Sequence, residues 1–90
     1  MSKADLVAQV AEKAGLTKRD ASAAVDALVE ALSDALRSGA RVHIYGFGVF
    51  EVVRRAAKVG RNPRTGQRVD VPARRAVRFR ASRLLKEAVA

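Results

Sequence analysis

The first residues of the chain carry apolar side chains at the spacing of an α-helix. Leu6 and Val10 recur on one side of a predicted first helix. Ser2, followed three residues later by Asp5, resembles a capping box, with Asp where Glu or Gln is usual. Gly15 is able to adopt the left-handed conformation that ends a helix. We therefore predict a first helix of about three turns.

A second start signal follows at once. Thr17 precedes an apolar stripe with a period near 3.6, and Gly39 ends it. The stripe comprises Ala21, Ala24, Val25, Leu28, Leu32, Ala35 and Leu36. This pattern predicts a helix of about five turns. Residues 1–40 are therefore expected to form an antiparallel helical hairpin whose apolar side chains belong to a core or a dimer interface.

From residue 41 the hydrophobic period changes from about 3.6 to 2. Val42 and Ile44 alternate with polar neighbours, which predicts a strand with one buried face. Gly46–Gly48 predicts a tight turn whose glycines are free to take positive φ. In the next strand we expect Phe50 to face inward and Glu51 outward. The run Arg54–Lys58 is expected to extend this strand into a ribbon.

The stretch from Val59 to Val71 reads as the end of a hairpin, with turn residues at Asn62–Gly66, the tip. Pro72 interrupts the returning strand. Residues 52–61 fully extended would span roughly 33 Å, against a radius of gyration of about 12 Å for a compact chain of this length. The ribbon arm, about residues 54–75, is therefore expected to project and to be mobile when free.

Val77 and Phe79 alternate with Arg78 and Arg80, which predicts a third strand, and Ser82 can cap a short last helix. The predicted fold class is α+β. We expect one domain over residues 1–90, with a helical dimerisation base at 1–40 and the sheet, the ribbon arm and the last helix at 41–90. The core looks thin, because 31 of the 44 apolar residues are Ala or Val and there is no Trp. A partner subunit is therefore expected.

Charge is unevenly distributed along the chain. The formal net charge is +9, and residues 41–90 hold thirteen basic and three acidic side chains. Eleven of the thirteen are arginines, whose planar fork suits phosphate. This asymmetry predicts a polyanion-binding half; a basic face kept for solubility would not need to be clustered. The absence of cysteine permits an intracellular compartment, and the chain shows no signal-peptide pattern and no apolar run of about 20 residues. We expect a cytoplasmic protein without a membrane partner.

Catalysis is not indicated by any motif. His43 is the only histidine, and the acidic residues show no metal-ligand or paired-carboxylate spacing. We expect no catalytic residue, metal, cofactor or small-molecule substrate. An RNA-binding module is a stronger alternative than an enzyme, although Tyr45 is the only candidate for stacking on an unpaired base.

Pro63 stands at the tip of this charged ribbon arm. Alone, an Asn-Pro pair more often marks an ordinary turn. At this place, a rigid apolar residue without an N–H is suited to slip between base pairs of a duplex, as apolar wedges of architectural proteins do. Double-stranded DNA is therefore the expected partner.

The segments GFGVFEV (46–52) and GRNPRTG (60–66) resemble the bacterial HU and integration host factor family of histone-like DNA-binding proteins. The resemblance covers the whole chain. It implies an intertwined dimer, homodimeric or with a paralogue, that binds and bends DNA in the bacterial nucleoid. The arms would enter the minor groove, with Pro63 intercalating. Binding would be largely independent of sequence in the manner of HU, or sequence-preferring in the manner of integration host factor.

The resemblance also implies which residues bind. Phe47, Phe50 and Phe79 correspond to the aromatic dimer core. Arg78 is added because strand parity places it on the outward face with Arg80, and Ala81-Ser82 departs from the Pro-Gly common in the family. The expected DNA-binding residues are Lys3, Arg55, Lys58, Arg61, Asn62, Pro63, Arg64, Arg68, Arg74, Arg78, Arg80, Arg83 and Lys86.

Overall fold

The computed structural model describes all residues, Met1–Ala90, and contains three helices and five strands. Contacts divide the chain into two compact units, Met1–Ala35 and Leu36–Ala90. None of the helices is both long and apolar enough to cross a membrane. The predicted α+β fold is confirmed. Its elements are α1 (Lys3–Ala14), α2 (Lys18–Arg37), β1 (Val42–Ile44), β2 (Gly48–Arg55), β3 (Lys58–Arg61), β4 (Arg68–Val71), β5 (Arg74–Ala81) and α3 (Arg83–Val89).

Helix α1 begins and ends at the predicted residues. The Asp5 carboxylate accepts hydrogen bonds from the backbone N–H of Ser2 at 2.9 Å and from its hydroxyl at 3.2 Å. These bonds lower the pKa of the Asp5 carboxyl group. Gly15 takes the left-handed conformation, with φ of 66°. The shorter Asp therefore performs the part of the capping box that Glu or Gln usually performs.

Helix α2 begins where the Asp20 N–H donates to the Thr17 hydroxyl at 3.1 Å. Within the first unit, Lys3 at the start of α1 forms an ion pair with Asp26 of α2. Ala11 and Ala21 are the two buried apolar residues of the chain. The first half of α2 thus folds back along α1, as the hairpin prediction required.

The three-stranded sheet is antiparallel, in the order β1-β2-β5. Phe50 lies opposite Val42 on one side and opposite Phe79 on the other. The rings of Phe50 and Phe79 have their centroids 4.7 Å apart, and those of Phe47 and Phe79 are 5.4 Å apart. Phe47 is nevertheless 43% exposed and Phe79 41% exposed. The aromatic cluster therefore lies on a sheet face that the chain itself covers only in part.

The turn between β1 and β2 uses its two glycines for different reasons. Gly46 has a φ of 77°, but Gly48 has no positive φ, so the expectation for both glycines was wrong for Gly48. A Cβ atom at Gly48 would lie 2.5 Å from the carbonyl oxygen of Arg80 and 2.6 Å from the ring of Phe79. The close approach of β5, and not the backbone conformation, demands glycine here.

Replacing Gly48 with alanine should destabilise the protein by about 1–3 kcal/mol, because the added methyl group meets backbone and must push β5 away. Gly60→Ala is the matched control, since a Cβ there meets no atom within 4 Å. Thermal unfolding of both variants checks this expectation. Equal melting temperatures for Gly48→Ala and the parent would contradict it.

The ribbon arm is interrupted at its base. β2 ends at Arg55 and β3 begins at Lys58, while Pro72 separates β4 from β5 on the returning side. β3 and β4 consequently form a separate two-stranded sheet. The prediction that 54–58 continues one strand was wrong, because Pro72 cannot donate to a ladder and the opposite backbone leaves the sheet with it.

The last helix begins at the predicted cap. The Ser82 hydroxyl accepts a hydrogen bond from the Leu85 N–H at 3.1 Å. The Ser82 N–H itself donates to the Phe47 carbonyl oxygen at 2.8 Å, which ties the start of α3 to the β1–β2 turn. The Ala81-Ser82 pair therefore supports a capped helix without the Pro-Gly pair that the family commonly carries.

Candidate nucleic-acid interface

Strand parity separates the sheet into an apolar face and a basic face. Arg55 lies opposite Arg74, and Glu51 lies opposite Arg78, on alternate positions of β2 and β5. Arg80 follows Arg78 on the same side. The basic face is defined here as the side of the sheet that holds Arg55, Arg74, Arg78 and Arg80, all of them predicted DNA-binding residues.

Glu51 lies at the centre of the basic face. Its Oε1 atom accepts hydrogen bonds from Arg78 Nε at 2.8 Å and from Arg78 Nη2 at 2.5 Å. Arg80 Nε lies 3.4 Å from the same oxygen, and Arg41 Nε lies 4.0 Å from Oε2. The Glu51 side chain is 16% exposed, whereas the three arginines are half exposed or more. It does point to the outward face, as predicted, but the arginines around it largely shield it from solvent.

These contacts make the Glu51 carboxyl group a stronger acid. The hydrogen bond from Arg78 is the main reason that its pKa lies below the ordinary value of 4.5, and the charges of Arg78, Arg80 and Arg41 add to it, while desolvation acts in the opposite direction. A carboxyl group whose pKa is lowered by folding stabilises the folded state above its unfolded pKa. That contribution is lost as the pH falls through the folded pKa.

Glu51→Gln should therefore lower the melting temperature at neutral pH, and the difference from the parent should vanish in acid. The difference should persist down to the ordinary value near pH 4.5 and disappear only below the lowered pKa. Melting curves of both proteins across this pH range, at constant ionic strength, provide the measurement. A stability difference that is unchanged at the acid end would show that the Glu51 charge contributes nothing.

Two arginines of the sheet lie on the other side. Arg54 and Arg75 oppose each other on the face that carries Phe50 and Phe79. Arg75 Nη2 lies 3.4 Å from the carbonyl oxygens of Leu36 and Arg37, at the end of α2. A cation at this position is favourable, because the last carbonyl groups of a helix carry partial negative charge. Arg75 is thus engaged in the fold.

Like charges oppose each other along the ribbon arm. Arg55 pairs with Arg74, Arg54 with Arg75, and Arg61 with Arg68 in the antiparallel register. Like charges directly across two strands destabilise the ladder. Asp70 offsets part of this, since its Oδ1 atom lies 3.5 Å from Arg68 Nε. Because Arg75 is already bonded to the end of α2, the pairs Arg55–Arg74 and Arg61–Arg68 are the ones whose repulsion an external anion would relieve most.

The tip has a closed hydrogen-bond pattern. The Asn62 N–H donates to the Gln67 backbone carbonyl oxygen at 2.8 Å, and the Gly66 N–H donates to the Asn62 carbonyl oxygen at 2.7 Å. The Asn62 side-chain oxygen accepts from the Arg64 N–H at 2.9 Å. Pro63 lies within the turn that these bonds close, and it is exposed. Asn62, predicted as a DNA contact, thus first of all shapes the turn that presents Pro63.

The remaining predicted residues are dispersed. Lys58 lies on the opposite side of the ribbon ladder from Arg61 and Arg68, by the alternation of the register. Arg83 Nε bonds to Glu87 Oε1 at 2.9 Å within α3, where Lys86 is exposed. Lys3 belongs to the first unit and is engaged with Asp26. Exposed ion pairs of this kind contribute about 0–1 kcal/mol, so phosphates can compete for these cations.

Glu51, Arg41 and Arg75 are the residues whose roles the sequence interpretation missed. Glu51 is the only acidic residue of β2. With β2 and β5 aligned by their phenylalanines, it falls opposite Arg78. That alignment could have revealed the pair. The bond from Arg75 to the end of α2 has no comparable signal, because it joins residues 38 and 39 positions apart.

Comparison with known proteins identifies the family. The family model described as "Bacterial DNA-binding protein" matches residues 1–90. The chain belongs to this family of bacterial DNA-binding proteins. The prediction of a bacterial DNA-binding protein is therefore confirmed.

HU proteins are similar to this chain in sequence and in structure. DNA-binding protein HU of Staphylococcus aureus (strain COL) is 49% identical over 89 residues, which cover 99% of each chain. The SPbeta prophage-derived DNA-binding protein HU 2 of Bacillus subtilis is 47% identical, covering 99% of this chain and 97% of its own. HU in the Anabaena HU–DNA cocrystal structure has a TM-score of 0.93 at 44% identity, covering 100% of this chain and 98% of its own. HU from Thermotoga maritima has a TM-score of 0.71 at 32% identity, with both chains fully covered.

Proposed function

We propose that this HU-family protein is an architectural protein of the bacterial nucleoid that binds double-stranded DNA largely without sequence specificity. The opposed arginine pairs of the ribbon arm carry this proposal. Side chains such as Arg61 and Arg68 repel each other across the ladder in the free protein. Phosphates on both edges of a groove would neutralise that repulsion. The cocrystal of the similar Anabaena HU with DNA supports the same class of ligand.

The ribbon arm is proposed to lie in the minor groove, with Pro63 as a wedge. The hydrogen bonds of the tip leave Pro63 exposed and hold its neighbours in a fixed turn. A rigid apolar ring at this place can enter a base step and unstack it, which bends the duplex. Arg61 and Arg64 on either side would contact the adjacent phosphates. Bending of DNA and its compaction would follow from this insertion at each arm.

The binding species is proposed to be a dimer, with a second copy of the chain as the simplest partner. In the single chain Phe47, Phe79 and Val77 are 43%, 41% and 63% exposed, and no large apolar side chain is fully buried. A domain of this length with so little buried apolar area is not expected to be stable alone. A copy that covers the aromatic cluster would supply the missing core.

Dimerisation should make stability depend on protein concentration. Each tenfold increase should raise the unfolding midpoint by about 3–6 °C, because association contributes about 1.4 kcal/mol per decade. Thermal scans over a hundredfold concentration range, with sedimentation at each end, test this. A midpoint independent of concentration together with a monomer mass would refute the dimer.

Competition among nucleic acids tests the proposed function as a whole. Linear, nicked and four-way-junction duplexes of equal length, and a single-stranded RNA, should be titrated at the same salt concentration. We expect the duplexes to bind more tightly than the RNA, and the nicked and junction forms more tightly than the linear one, because their distortion lowers the cost of bending. Tightest binding to the RNA would favour an RNA-binding module. A strong preference for one linear sequence would favour a role like that of integration host factor.

A further inference from the structure

Three arginines surround the Glu51 carboxylate, and two of them, Arg78 and Arg80, belong to the basic face. Arg78 donates two hydrogen bonds to a single oxygen of Glu51, and Arg80 and Arg41 lie within 4.0 Å of the carboxylate. Such charge-assisted bonds are about twice as strong as neutral ones. Glu51 thus places a negative charge among the predicted DNA-binding arginines of the basic face, where it would repel the phosphates of DNA.

Two opposite roles are possible for this carboxylate. It could compete with phosphate for the arginines, and its removal would then strengthen DNA binding. Alternatively, it could hold the arginines ready for phosphate, and its removal would then weaken binding. Removing the charge of Glu51 would therefore raise DNA affinity under the first role and lower it under the second, so one substitution distinguishes them.

The geometry favours the second role. Arg78 uses its Nε and Nη2 atoms for Glu51, which leaves the Nη1 edge of the same guanidinium group for another acceptor. Its side chain remains 50% exposed, and that of Arg80 remains 55% exposed, whereas Glu51 itself is only 16% exposed. The carboxylate thus lies beneath the cations, and an approaching phosphate would meet the arginines first.

The relative size of the two effects, repulsion of phosphate and ordering of the arginines, also favours the second role. Repulsion between the Glu51 carboxylate and a phosphate beyond the arginines is screened by them and by salt, whose screening length is about 8 Å at physiological ionic strength. Without the carboxylate, mutual repulsion would separate the arginines, and each would have to be ordered again on binding. Immobilising long side chains at an interface typically lowers affinity by about two- to tenfold for each.

We propose that Glu51 is a positioning residue for DNA binding, which holds Arg78 and Arg80 in place on the basic face so that they can contact phosphate together. This inference rests on the proposed function, the binding of DNA, and extends that binding from the ribbon arm to the basic face, whose arginines are predicted DNA-binding residues. It assigns to an acidic residue a positive contribution to the binding of a polyanion.

Glu51→Gln tests the inference, since it keeps the shape and removes the charge. Affinity for a linear duplex should fall about tenfold at fixed salt, although the net charge of the chain rises by one. Glu12→Gln is the matched control: it makes the same chemical change at an exposed position of α1, in the first unit, and should not weaken binding. Tighter or unchanged binding by Glu51→Gln, or equal weakening by Glu12→Gln, would overturn the inference.

A double-mutant cycle separates positioning from general damage to the fold. In an Arg78→Ala background, Glu51→Gln should weaken binding by much less than in the parent, because the side chain it holds is gone. The full loss in both backgrounds would overturn the inference. If Arg78→Ala alone leaves affinity unchanged, Arg78 does not contact DNA and the inference fails. The proposed function, which rests on the ribbon arm, would fail only if Arg61→Ala also left affinity unchanged.

Arg78→Lys gives a second route if Glu51→Gln does not fold at the temperature of the assay. Lysine keeps the charge but lacks the fork that can bond to Glu51 and phosphate at the same time. Its affinity should fall several-fold. Parental affinity with Arg78→Lys would show that only charge matters at this position, and would overturn the inference.

Discussion

Raising the salt concentration from about 50 to about 200 mM should weaken DNA binding by roughly three to five orders of magnitude. In a dimer, two ribbon arms and two basic faces could neutralise roughly six to ten phosphates. Each neutralised phosphate releases condensed counterions, which gives a log–log slope of about −5 to −9. Titrations of a short duplex at five or more salt concentrations provide the slope. A slope near zero would mean that the basic half of the chain does not bind DNA.

Substitution of single arginines locates the source of this salt dependence. Arg61→Ala should weaken binding to every duplex and flatten the slope by about one to two units, because a dimer carries two copies. Arg19→Ala is the control, since it removes the same charge from the start of α2 in the first unit. It should leave the slope unchanged. Equal flattening by both variants would indicate a diffuse effect of net charge and no defined interface.

Pro63→Ala should separate the bending of DNA from its binding. Proline contributes no charge, so the arginines of the tip and of the basic face should preserve affinity for linear duplex within a few-fold. The wedge would be lost, and unstacking a base step costs a few kcal/mol. The preference for nicked over intact duplex, about tenfold or more in the parent, should therefore fall toward unity. Binding curves for the two duplexes at one salt concentration give this ratio.

Pro72→Ala is the matched control for this loss, because Pro72 is the other proline and lies at the base of the ribbon arm between β4 and β5. It removes a proline without changing the tip. The nicked-to-intact ratio should stay near the parental value in this variant. A ratio that falls with Pro72→Ala and not with Pro63→Ala would place the bending element at the base of the ribbon arm.

Local signals explain why the helices could be predicted from the sequence. Ser2, Thr17 and Ser82 each lie directly before a helix, and Gly15 and Gly39 after one, because caps depend on residues within about one turn. The period-two pattern likewise predicted the strands that pair through Phe50 and Phe79. These features need no knowledge of distant parts of the chain.

The features that could not be predicted depend on contacts between strands. The sequence suggested that Gly48 is needed for the backbone conformation of a turn. The structure shows that glycine is needed because β5 lies too close for a Cβ atom, and the ring that this atom would meet belongs to Phe79, 31 positions along the chain. Ala56 and Ala57 carry no breaker signal of their own, and the ladder ends beside them because Pro72 acts on the opposite strand. Strand parity already placed Arg78 with Arg80 on the outward face, but which residues of β2 lie opposite these arginines follows only from the register.

The class of ligand and the family could likewise be predicted from the sequence. Clustered arginines indicated a polyanion, and two motifs indicated the family, which the match to residues 1–90 confirms. The role that we propose for Glu51 could not be predicted, because a single acidic residue among arginines is typical of ordinary charge compensation. The proposal rests on its low exposure and on the two hydrogen bonds that it accepts from one guanidinium group.

Energy transfer between dyes at the two ends of a short duplex tests the central claim most directly. We expect the parent protein to bring the ends of the duplex closer, and Pro63→Ala at saturating concentration to bring them together much less, although it still occupies the duplex. Pro72→Ala should give the parental signal. Equal energy transfer with Pro63→Ala and with the parent would contradict the proposed role of Pro63, because the exposed proline of the tip would then be a turn residue and not the wedge that bends DNA.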